Sequence, residues 1–103
     1  MAANHPEQQT MSMFELTGFQ RDLLYVIAGA SRPSGQEIKV QISQFVGEVN
    51  HGRLYPNLDT LVEQGFVNKG QHDRRTNFYE LSDEGLEALK ARREWEDRFV
   101  EFE

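Results

Sequence analysis

The sequence predicts an α+β fold that is mostly α-helical, with three helices, a β-hairpin and a last helix. Apolar residues recur at helical spacing in three segments before Gly65, and the pattern then changes to that of short strands. Residues that cap helices stand at the start of each helical segment. Three packed helices with an attached hairpin form a winged helix-turn-helix, which is the architecture we expect.

Capping boxes mark the starts of the first two helices. Thr17 forms such a box with Gln20, and Ser34 forms another with Glu37. Gly29 and the run 31–35 end the first helix, and Gly47 ends the second. The expected apolar stripes are Leu16, Phe19, Leu23, Leu24 and Ile27 in the first helix, and Ile38, Ile42, Phe45 and Val46 in the second.

A third helix is expected to begin near Asn50, which is a favourable N-cap residue, and to stop at Gly65. Its stripe consists of Leu54, Leu58, Leu61 and Val62. These residues are spaced to cover one face of the helix, which leaves the intervening polar residues on the opposite face.

A β-hairpin and a final helix complete the chain. The first strand is expected from residues 66–67 to about Gln71 and the second over residues 78–81, with Tyr79 and Leu81 facing the core. The polar segment 72–77 can only be the turn between them. Ser82 caps a helix that we expect to run from Asp83 to about Val100, with acids in its first turn as the helix dipole favours.

Composition excludes several classes of function. The chain has no cysteine, and its three histidines share no metal-ligand spacing, so we expect no metal, no cofactor and no enzymatic activity. No apolar run approaches the ~18 residues of a membrane span. The first dozen residues lack the basic start and apolar stretch of a signal peptide. We therefore expect a soluble, cytoplasmic protein.

The net charge of −6 is unevenly distributed along the chain. Residues 1–49 carry five acids against three basic residues, and residues 80–103 carry nine acids against four. Residues 50–79 carry four basic residues against three acids and are the part that is not acidic. With three lysines against eight arginines, the acidic and lysine-poor composition resembles that of proteins from salt-loving organisms.

The start of the third helix carries the chemistry of DNA recognition. A helix ordinarily prefers acids in its first turn, whereas this one has His51 and Arg53, an arrangement that favours a bound anion such as a DNA phosphate. Arg53, Tyr55 and Asn57 can also read base edges. The residues predicted to contact DNA here are Asn50, His51, Gly52, Arg53, Tyr55, Pro56 and Asn57.

The hairpin is a second basic element at the place where a winged helix contacts the DNA backbone or minor groove. Its tip combines positive charge with hydroxyl and amide groups. The residues predicted to contact DNA are Lys69, Gln71, Arg74, Arg75, Thr76 and Asn77.

Three motifs in order resemble the PadR-type transcriptional regulators, and the haloarchaeal members in particular. They are SGQEI at residues 34–38, VNHGRLYPNLDTLVEQGFV at residues 49–67, and Arg75 followed by FYELSDEGL at residues 78–86. The resemblance covers roughly residues 16–90. It implies regulation of transcription, suggests a response to oxidative stress, and adds Ser34 and Gln36 at the start of helix 2 to the DNA contacts. The last helix is shorter than in the larger members, which have a multi-helix C-terminal domain.

Three aromatic residues of the last helix, Trp95, Phe99 and Phe102, form a stripe with no evident core partner in so short a chain. Such a stripe usually marks an interface, although the rings could fold back onto their own domain. The resemblance implies a homodimer through the terminal helices. The predicted interface residues are Phe19, Leu86, Leu89, Arg93, Trp95, Phe99 and Phe102.

These inferences divide the chain into a flexible arm (1–13), a winged-helix DNA-binding domain (14–82) and a C-terminal dimerisation helix (83–103). The expected function is sequence-specific binding of double-stranded DNA by a homodimer at a pseudo-palindromic operator. The alternative is a winged-helix module that binds proteins without contacting DNA. In high salt, cations that bridge acidic residues and DNA phosphates are further expected partners.

Overall fold

The computed structural model describes residues 12–102. A short 3-10 turn (Met13–Glu15) precedes helices α1 (Gly18–Ala28), α2 (Gly35–Val46) and α3 (His51–Glu63). Strands β1 (Val67–Gln71) and β2 (Asn77–Leu81) follow, and helix α4 (Asp83–Asp97) comes last. This order and the antiparallel pairing of the two strands confirm the predicted winged-helix architecture.

The predicted flexible arm falls mostly outside the described residues, since residues 1–11 are not described. Its last residue, Met13, was assigned to the arm wrongly. The Met13 side chain is buried in the core, and its carbonyl accepts a hydrogen bond from the Arg21 guanidinium. Met13 and Leu16 are both buried, and burial of their apolar side chains stabilises this segment against the core.

Each α-helix begins at a side-chain cap. The Thr17 hydroxyl accepts from the Gln20 N–H at 3.1 Å, the Ser34 hydroxyl accepts from the Glu37 N–H at 3.1 Å, and both reciprocal bonds of the capping boxes are present. Asn50 caps α3 through a 2.9 Å bond from the Arg53 N–H, and Ser82 caps α4. The first N–H groups of a helix have no partner within the helix, and these side chains accept hydrogen bonds from them. Because such caps can be recognised in the local sequence, all four helix starts were predicted correctly.

The core lies between the first three helices and the inner face of the hairpin. Its most buried side chains are those of Leu23, Leu24, Ile27, Ile38, Ile42, Val49, Leu54, Leu58, Leu61, Val67 and Tyr79. Tyr79 faces inward as predicted, and Leu81 packs against the core while half-buried.

The hairpin is joined to the loop before α2. The Tyr79 N–H donates to the Pro33 carbonyl at 2.9 Å, and Ser34 forms an isolated antiparallel bridge with Phe78. The segment 33–34 thus lies alongside β2 and connects the wing to the start of α2. The local sequence pattern did not predict this pairing because the paired residues are far apart in the chain.

Two predicted apolar faces differ in the structure. Phe45 and Val46 were placed with Ile38 and Ile42, but their side chains are 76% and 42% exposed at the end of α2. Helix α4 ends at Asp97 and not near Val100, so Phe99 and Phe102 lie beyond it. No glycine cap stops this helix; it ends where its side chains have left the core, and packing no longer supports another turn.

Candidate nucleic-acid interface

The exposed start of α3 presents two groups that suit an anion. The first turn has no acidic residue, and the side chains of His51 and Arg53 are exposed. Gly52 is exposed as well, and its backbone lies close to the Asn50 cap. The positive end of the α3 dipole and the Arg53 guanidinium therefore occupy the same corner of the molecule, which favours a phosphate there.

The Arg53 guanidinium lies over the ring of Phe19 in α1, with its central carbon 3.9 Å from the ring centroid. This stacking uses the flat face of the guanidinium and leaves its N–H donors at the edge available. Among residues 12–102, no carboxylate forms an ion pair with Arg53.

Two residues predicted to read base edges are instead used within the chain. The Asn57 amide accepts from Gln20 Nε2 at 2.9 Å and donates to the Arg53 carbonyl at 2.7 Å, so it is not free for an adenine. Tyr55 is half-buried and packs over Gly35 of α2. Asn57 turns inward because the buried Gln20 amide needs an acceptor, and Tyr55 turns inward because its ring gains more from packing than from exposure.

The remaining residue predicted on this helix, Pro56, is exposed. At the start of α2, the Ser34 hydroxyl serves as the helix cap, whereas Gln36 is exposed and available for contact. The predicted residues that are exposed at these two helix starts, apart from the Asn50 cap, are thus His51, Gly52, Arg53, Pro56 and Gln36.

The wing tip is a tight turn organised by Asp73. Its carboxylate accepts from the N–H groups of Arg75 at 2.8 Å and Thr76 at 3.0 Å, and the His72 N–H donates to the Thr76 carbonyl. The bond from the Arg75 N–H lowers the pKa of the Asp73 carboxyl below its ordinary value of 3.8. This turn sends the side chains of Arg74 and Arg75 into solvent.

The other predicted wing residues divide by strand. Lys69 and Gln71 on β1 are exposed, and the Lys69 ammonium lies 5.9 Å from the centroid of the Tyr79 ring. Thr76 and Asn77 are half-buried, because they lie at the point where the turn enters β2. The cationic part of the wing is therefore Lys69, Arg74 and Arg75.

A cluster at the base of the wing was not predicted. Arg32 pairs with Glu80 at 3.2 Å and covers the ring of Phe78. His72 Nε2 lies 3.1 Å from the Arg32 carbonyl, and the His72 ring packs at a tilt against Phe78. Arg32 itself has a positive φ of 49°. No local motif indicates the contacts of Arg32 with the wing, which join residues 40 or more positions apart and become visible only when the wing is folded.

Three of the eleven basic residues, all of which lie within residues 12–102, form ion pairs with carboxylates. Arg32, Lys90 and Arg92 form ion pairs with Glu80, Glu87 and Glu96. Within the described part of the chain, no ion pair involves the four basic residues of the α3 start and the wing, namely Arg53, Lys69, Arg74 and Arg75. In a chain of net charge −6, these four exposed and unpaired cations stand at the α3 start and on the wing, an arrangement that suits a polyanion.

The comparisons with known proteins agree with this geometry. A model of the transcriptional regulator PadR-like family matches residues 23–91. The chain belongs to this family. The PadR-like chain is therefore a DNA-binding regulator of transcription with a winged-helix fold, as the resemblance of its motifs predicted.

Three solved structures place the PadR-like chain among its relatives. RosR of H. salinarum is 45% identical, with 86% of this chain and 82% of RosR covered and a TM-score of 0.77. A complex designated hsRosR-SG is 46% identical, with 85% and 80% covered and a TM-score of 0.78. A cysteine-to-serine mutant of E. coli MarR, solved with operator DNA, is 26% identical, with 76% of this chain and 54% of MarR covered and a TM-score of 0.67. No curated protein matches the chain.

The similarity to H. salinarum RosR fits the acidic, lysine-poor composition, which is that of a halophilic protein. Among residues 12–102, no helix is both long and apolar enough to cross a membrane.

The predicted dimer residues of the PadR-like chain are not all on one surface. Leu89 is buried in the core of its own chain, and Phe19 is half-buried beneath Arg53. Leu89 was assigned to the interface by helical spacing, which does not distinguish a core face from an interface face. Phe19 was assigned to it by the family resemblance, which implied that helix 1 takes part. Leu86, Arg93, Phe99 and Phe102 are exposed.

Trp95 occupies an intermediate position between these groups. Its ring meets Phe14 edge-on at 4.9 Å between centroids and Phe99 at 5.1 Å, and the Arg92 guanidinium covers it at 4.7 Å. Trp95 thus folds back in part onto the N-terminal turn of its own chain. Phe14, Phe99, Val100 and Phe102 still expose between 49% and 87% of their surface around this cluster.

A second apolar surface lies between α1 and α2. It is a groove of about 920 Å³, and the exposed apolar side chains that line it are those of Tyr25, Val40, Phe45 and Val46. No segment among residues 12–102 covers it. The sequence analysis did not predict this groove; it assigned Phe45 and Val46 to the stripe that faces the core and did not single out Tyr25 or Val40.

Proposed function

We propose that the protein binds double-stranded DNA sequence-specifically as a homodimer, with α3 in the major groove and the wing along the adjacent backbone. The observation that carries the proposal is the position of four exposed cations at the α3 start and on the wing, where none forms an ion pair within residues 12–102, in an otherwise acidic chain. The structure of E. coli MarR with operator DNA supports this use of the fold, because MarR is a structural relative of this chain.

Within this proposal the two basic elements have different tasks. Arg53 reads a base edge, for which guanine offers a bidentate partner to a guanidinium, and His51 contacts a phosphate at the positive end of α3. Lys69, Arg74 and Arg75 contact phosphates, which fix the position of the protein on the duplex. Gln36 contacts the backbone from the start of α2.

The proposed homodimer forms through the exposed apolar residues of α4 and the segment after it. Leu86, Phe99, Val100 and Phe102 are large, exposed and uncovered within residues 12–102. A two-fold dimer would present two copies of α3 about one DNA turn apart, which is why we expect a pseudo-palindromic operator.

High salt imposes a condition on this function. Affinity gained by neutralising phosphates falls with the logarithm of salt concentration by about 0.9 per contact, so molar salt removes most of it. We propose that base contacts provide most of the specificity and that cations bridge acidic side chains and phosphates. A steep loss of operator affinity between moderate and molar KCl would contradict this part of the proposal.

The experiment that tests the function is selection from a pool of random DNA duplexes by the full-length protein at high KCl, followed by fluorescence anisotropy with the recovered duplex. We expect a recovered site with two inverted halves, and weaker binding by the Arg53→Ala and Arg75→Ala variants. If no duplex is enriched, or if both variants bind as the wild type does, DNA reading through this surface is wrong and the protein-binding alternative gains support.

We also propose that the protein acts in the cytoplasm on genes of the oxidative-stress response. This assignment follows from the resemblance of the motifs to haloarchaeal PadR-type regulators. It predicts that deletion of the gene changes transcript levels after hydrogen peroxide treatment, and that these transcripts come from promoters that contain the recovered site. Unchanged transcripts would contradict the assignment without affecting DNA binding.

A further inference from the structure

A buried amide at the start of α1 is connected to α3. The Gln20 side chain is 8% exposed, and it uses both ends of its amide. Its Oε1 accepts from the Thr17 N–H at 3.0 Å, which closes the capping box of α1, and its Nε2 donates to the Asn57 Oδ1 at 2.9 Å. The second bond crosses 37 positions of sequence and is not part of the cap.

Asn57 passes this connection to the recognition helix. Its Nδ2 donates at 2.7 Å to the carbonyl of Arg53, one turn earlier in α3. The three residues thus form a chain of hydrogen bonds from the cap of α1 to the backbone of Arg53. Since every member of this chain has a partner, the network fixes the orientation of the first turn of α3 relative to α1.

Phe19, the residue before Gln20, contacts the guanidinium of Arg53. The Phe19 ring supports the guanidinium at 3.9 Å, while the Arg53 N–H donates to the Asn50 Oδ1 at 2.9 Å. Arg53 is therefore held at its N–H, its carbonyl and its guanidinium. Two of these three contacts depend on the adjacent residues Phe19 and Gln20.

We propose that Gln20 and Phe19 are positioning residues that hold Arg53 in the orientation in which it reads a base of the operator. This rests on the proposed function of α3. The identity of residue 20 supports the assignment, since a glutamate would complete the capping box equally well but could not donate to Asn57. The stack on Phe19 holds the guanidinium by its face and leaves its edge donors for the base.

The first test is a double-mutant cycle with Gln20→Glu and Arg53→Ala. The probe is the duplex recovered by the wild-type protein from the random pool, labelled for anisotropy at fixed KCl. We expect Gln20→Glu to weaken binding on the order of tenfold, and to have little further effect when Arg53 is already alanine. When the base that Arg53 reads is substituted in the duplex, the Gln20→Glu variant should lose less affinity than the wild-type protein loses.

The negative charge that Gln20→Glu introduces could also explain weaker DNA binding by this variant. Repulsion between the introduced carboxylate and DNA phosphates would weaken binding to the same extent with or without Arg53, and it would leave base discrimination unchanged. That result would overturn the proposal. Thermal unfolding followed by circular dichroism shows whether each variant is folded under the binding conditions.

A second pair of variants keeps the proposal testable without a change of charge. Phe19→Leu retains an apolar side chain but removes the aromatic face, whereas Phe19→Tyr retains the face. We expect Phe19→Leu to weaken binding by about two- to fivefold and Phe19→Tyr to bind as the wild type does. Equal affinities for the leucine and tyrosine variants would overturn the role of Phe19.

The outcome for the proposed function is distinguishable from the outcome for this inference. If the wild-type protein enriches no duplex, the function fails and the positioning role fails with it. If the wild type enriches a duplex and Arg53→Ala weakens binding, while Gln20→Glu and Phe19→Leu leave affinity and base discrimination unchanged, the function stands and the positioning role is wrong.

Discussion

Single residues determine how closely the elements of this fold approach one another. Gly85, in the first turn of α4, lies directly against the backbone carbonyl of Phe66 before β1. A Cβ at this position would collide with that carbonyl and would lie 3.0 Å from the Leu81 Cδ1. Backbone atoms cannot rotate away as a side chain does, so the contact requires glycine.

We predict that Gly85→Ala lowers the free energy of unfolding by about 1–3 kcal/mol, since overpacking of backbone outweighs the gain in helix propensity. The measurement is urea unfolding followed by circular dichroism. Gly18→Ala is the matched control, because Gly18 is also in the first turn of a helix but nothing lies within 4 Å of its added Cβ. We expect the control to be neutral or stabilising by up to about 1 kcal/mol. Equal losses for both variants would contradict this account.

The Asp73 carboxylate makes the wing turn sensitive to acid. The Arg75 N–H lowers the pKa of Asp73 in the folded protein, so its stabilising contribution is present above the unfolded pKa and is lost as pH falls through the folded value. We predict that this carboxyl titrates below 3.8 in an NMR titration of side-chain carboxyl carbons.

The control for this titration is Asp73→Asn, whose side chain still accepts hydrogen bonds but does not titrate in this range. The acid-induced changes at the amides of Arg75 and Thr76 should be absent in the asparagine variant. A carboxyl that titrates at or above 3.8, or amide changes that persist in the variant, would show that Asp73 does not organise the turn.

The recognition helix shows how far single residues could be predicted from the sequence. Arg53 and His51 are exposed at the start of α3 as expected, since helix spacing and dipole chemistry are local properties. Asn57 and Tyr55 turn inward, and their partners Gln20 and Gly35 belong to other helices. A polar residue that serves the core and one that serves a ligand have the same spacing, so sequence alone could not separate them.

At the scale of elements, starts were predicted better than ends. The caps at Thr17, Ser34, Asn50 and Ser82 are short-range motifs, because each side chain bonds a backbone N–H only three residues later. The end of α4 depends instead on where packing against the rest of the chain stops. For the same reason, the bridge between Ser34 and Phe78 was not predicted, whereas the hairpin itself was.

The wing as an element should act mainly through charge. Whatever net slope the bridging cations leave, we predict that Arg75→Ala shifts the slope of log affinity against log salt in the positive direction by about 0.9 per wing, and hence by about 1.8 for a dimer. Lys90→Ala removes the same charge from α4, where the ammonium pairs with Glu87, and should leave the slope unchanged. Anisotropy titrations at several KCl concentrations measure both, and equal changes in the two variants would indicate a general charge effect.

At the scale of the whole molecule, α4 and the segment after it extend away from the core. The radius of gyration is 14.7 Å, larger than the roughly 13 Å expected for a compact domain of about this length. From residue 90 to residue 102, only Arg92 and Trp95 are even partly buried. An extended helix that is followed by exposed aromatic side chains is typical of an element that is completed by a second copy.

We predict that the double variant Phe99→Ser with Phe102→Ser raises the dimer dissociation constant at least on the order of tenfold, because it removes two apolar side chains from each proposed contact surface. Sedimentation velocity over a range of protein concentrations measures this. Phe45→Ser is the matched control, since Phe45 is also a highly exposed phenylalanine but lies on α2. If Phe45→Ser dissociates the dimer and the double variant does not, the interface is the α1–α2 groove.

The bond between the Tyr79 N–H and the Pro33 carbonyl has a mechanical consequence for the molecule as a whole. Because the segment 33–34 is at once the neighbour of β2 and the start of α2, a displacement of the wing would be transmitted to α2 and not absorbed by a hinge. The spacing between α2 and the wing, the two elements that we propose to contact DNA, is then set by the protein. A duplex that does not match this spacing must deform, and the elastic energy of doing so depends on its sequence. Base pairs that no side chain touches would in this way contribute to the choice of operator.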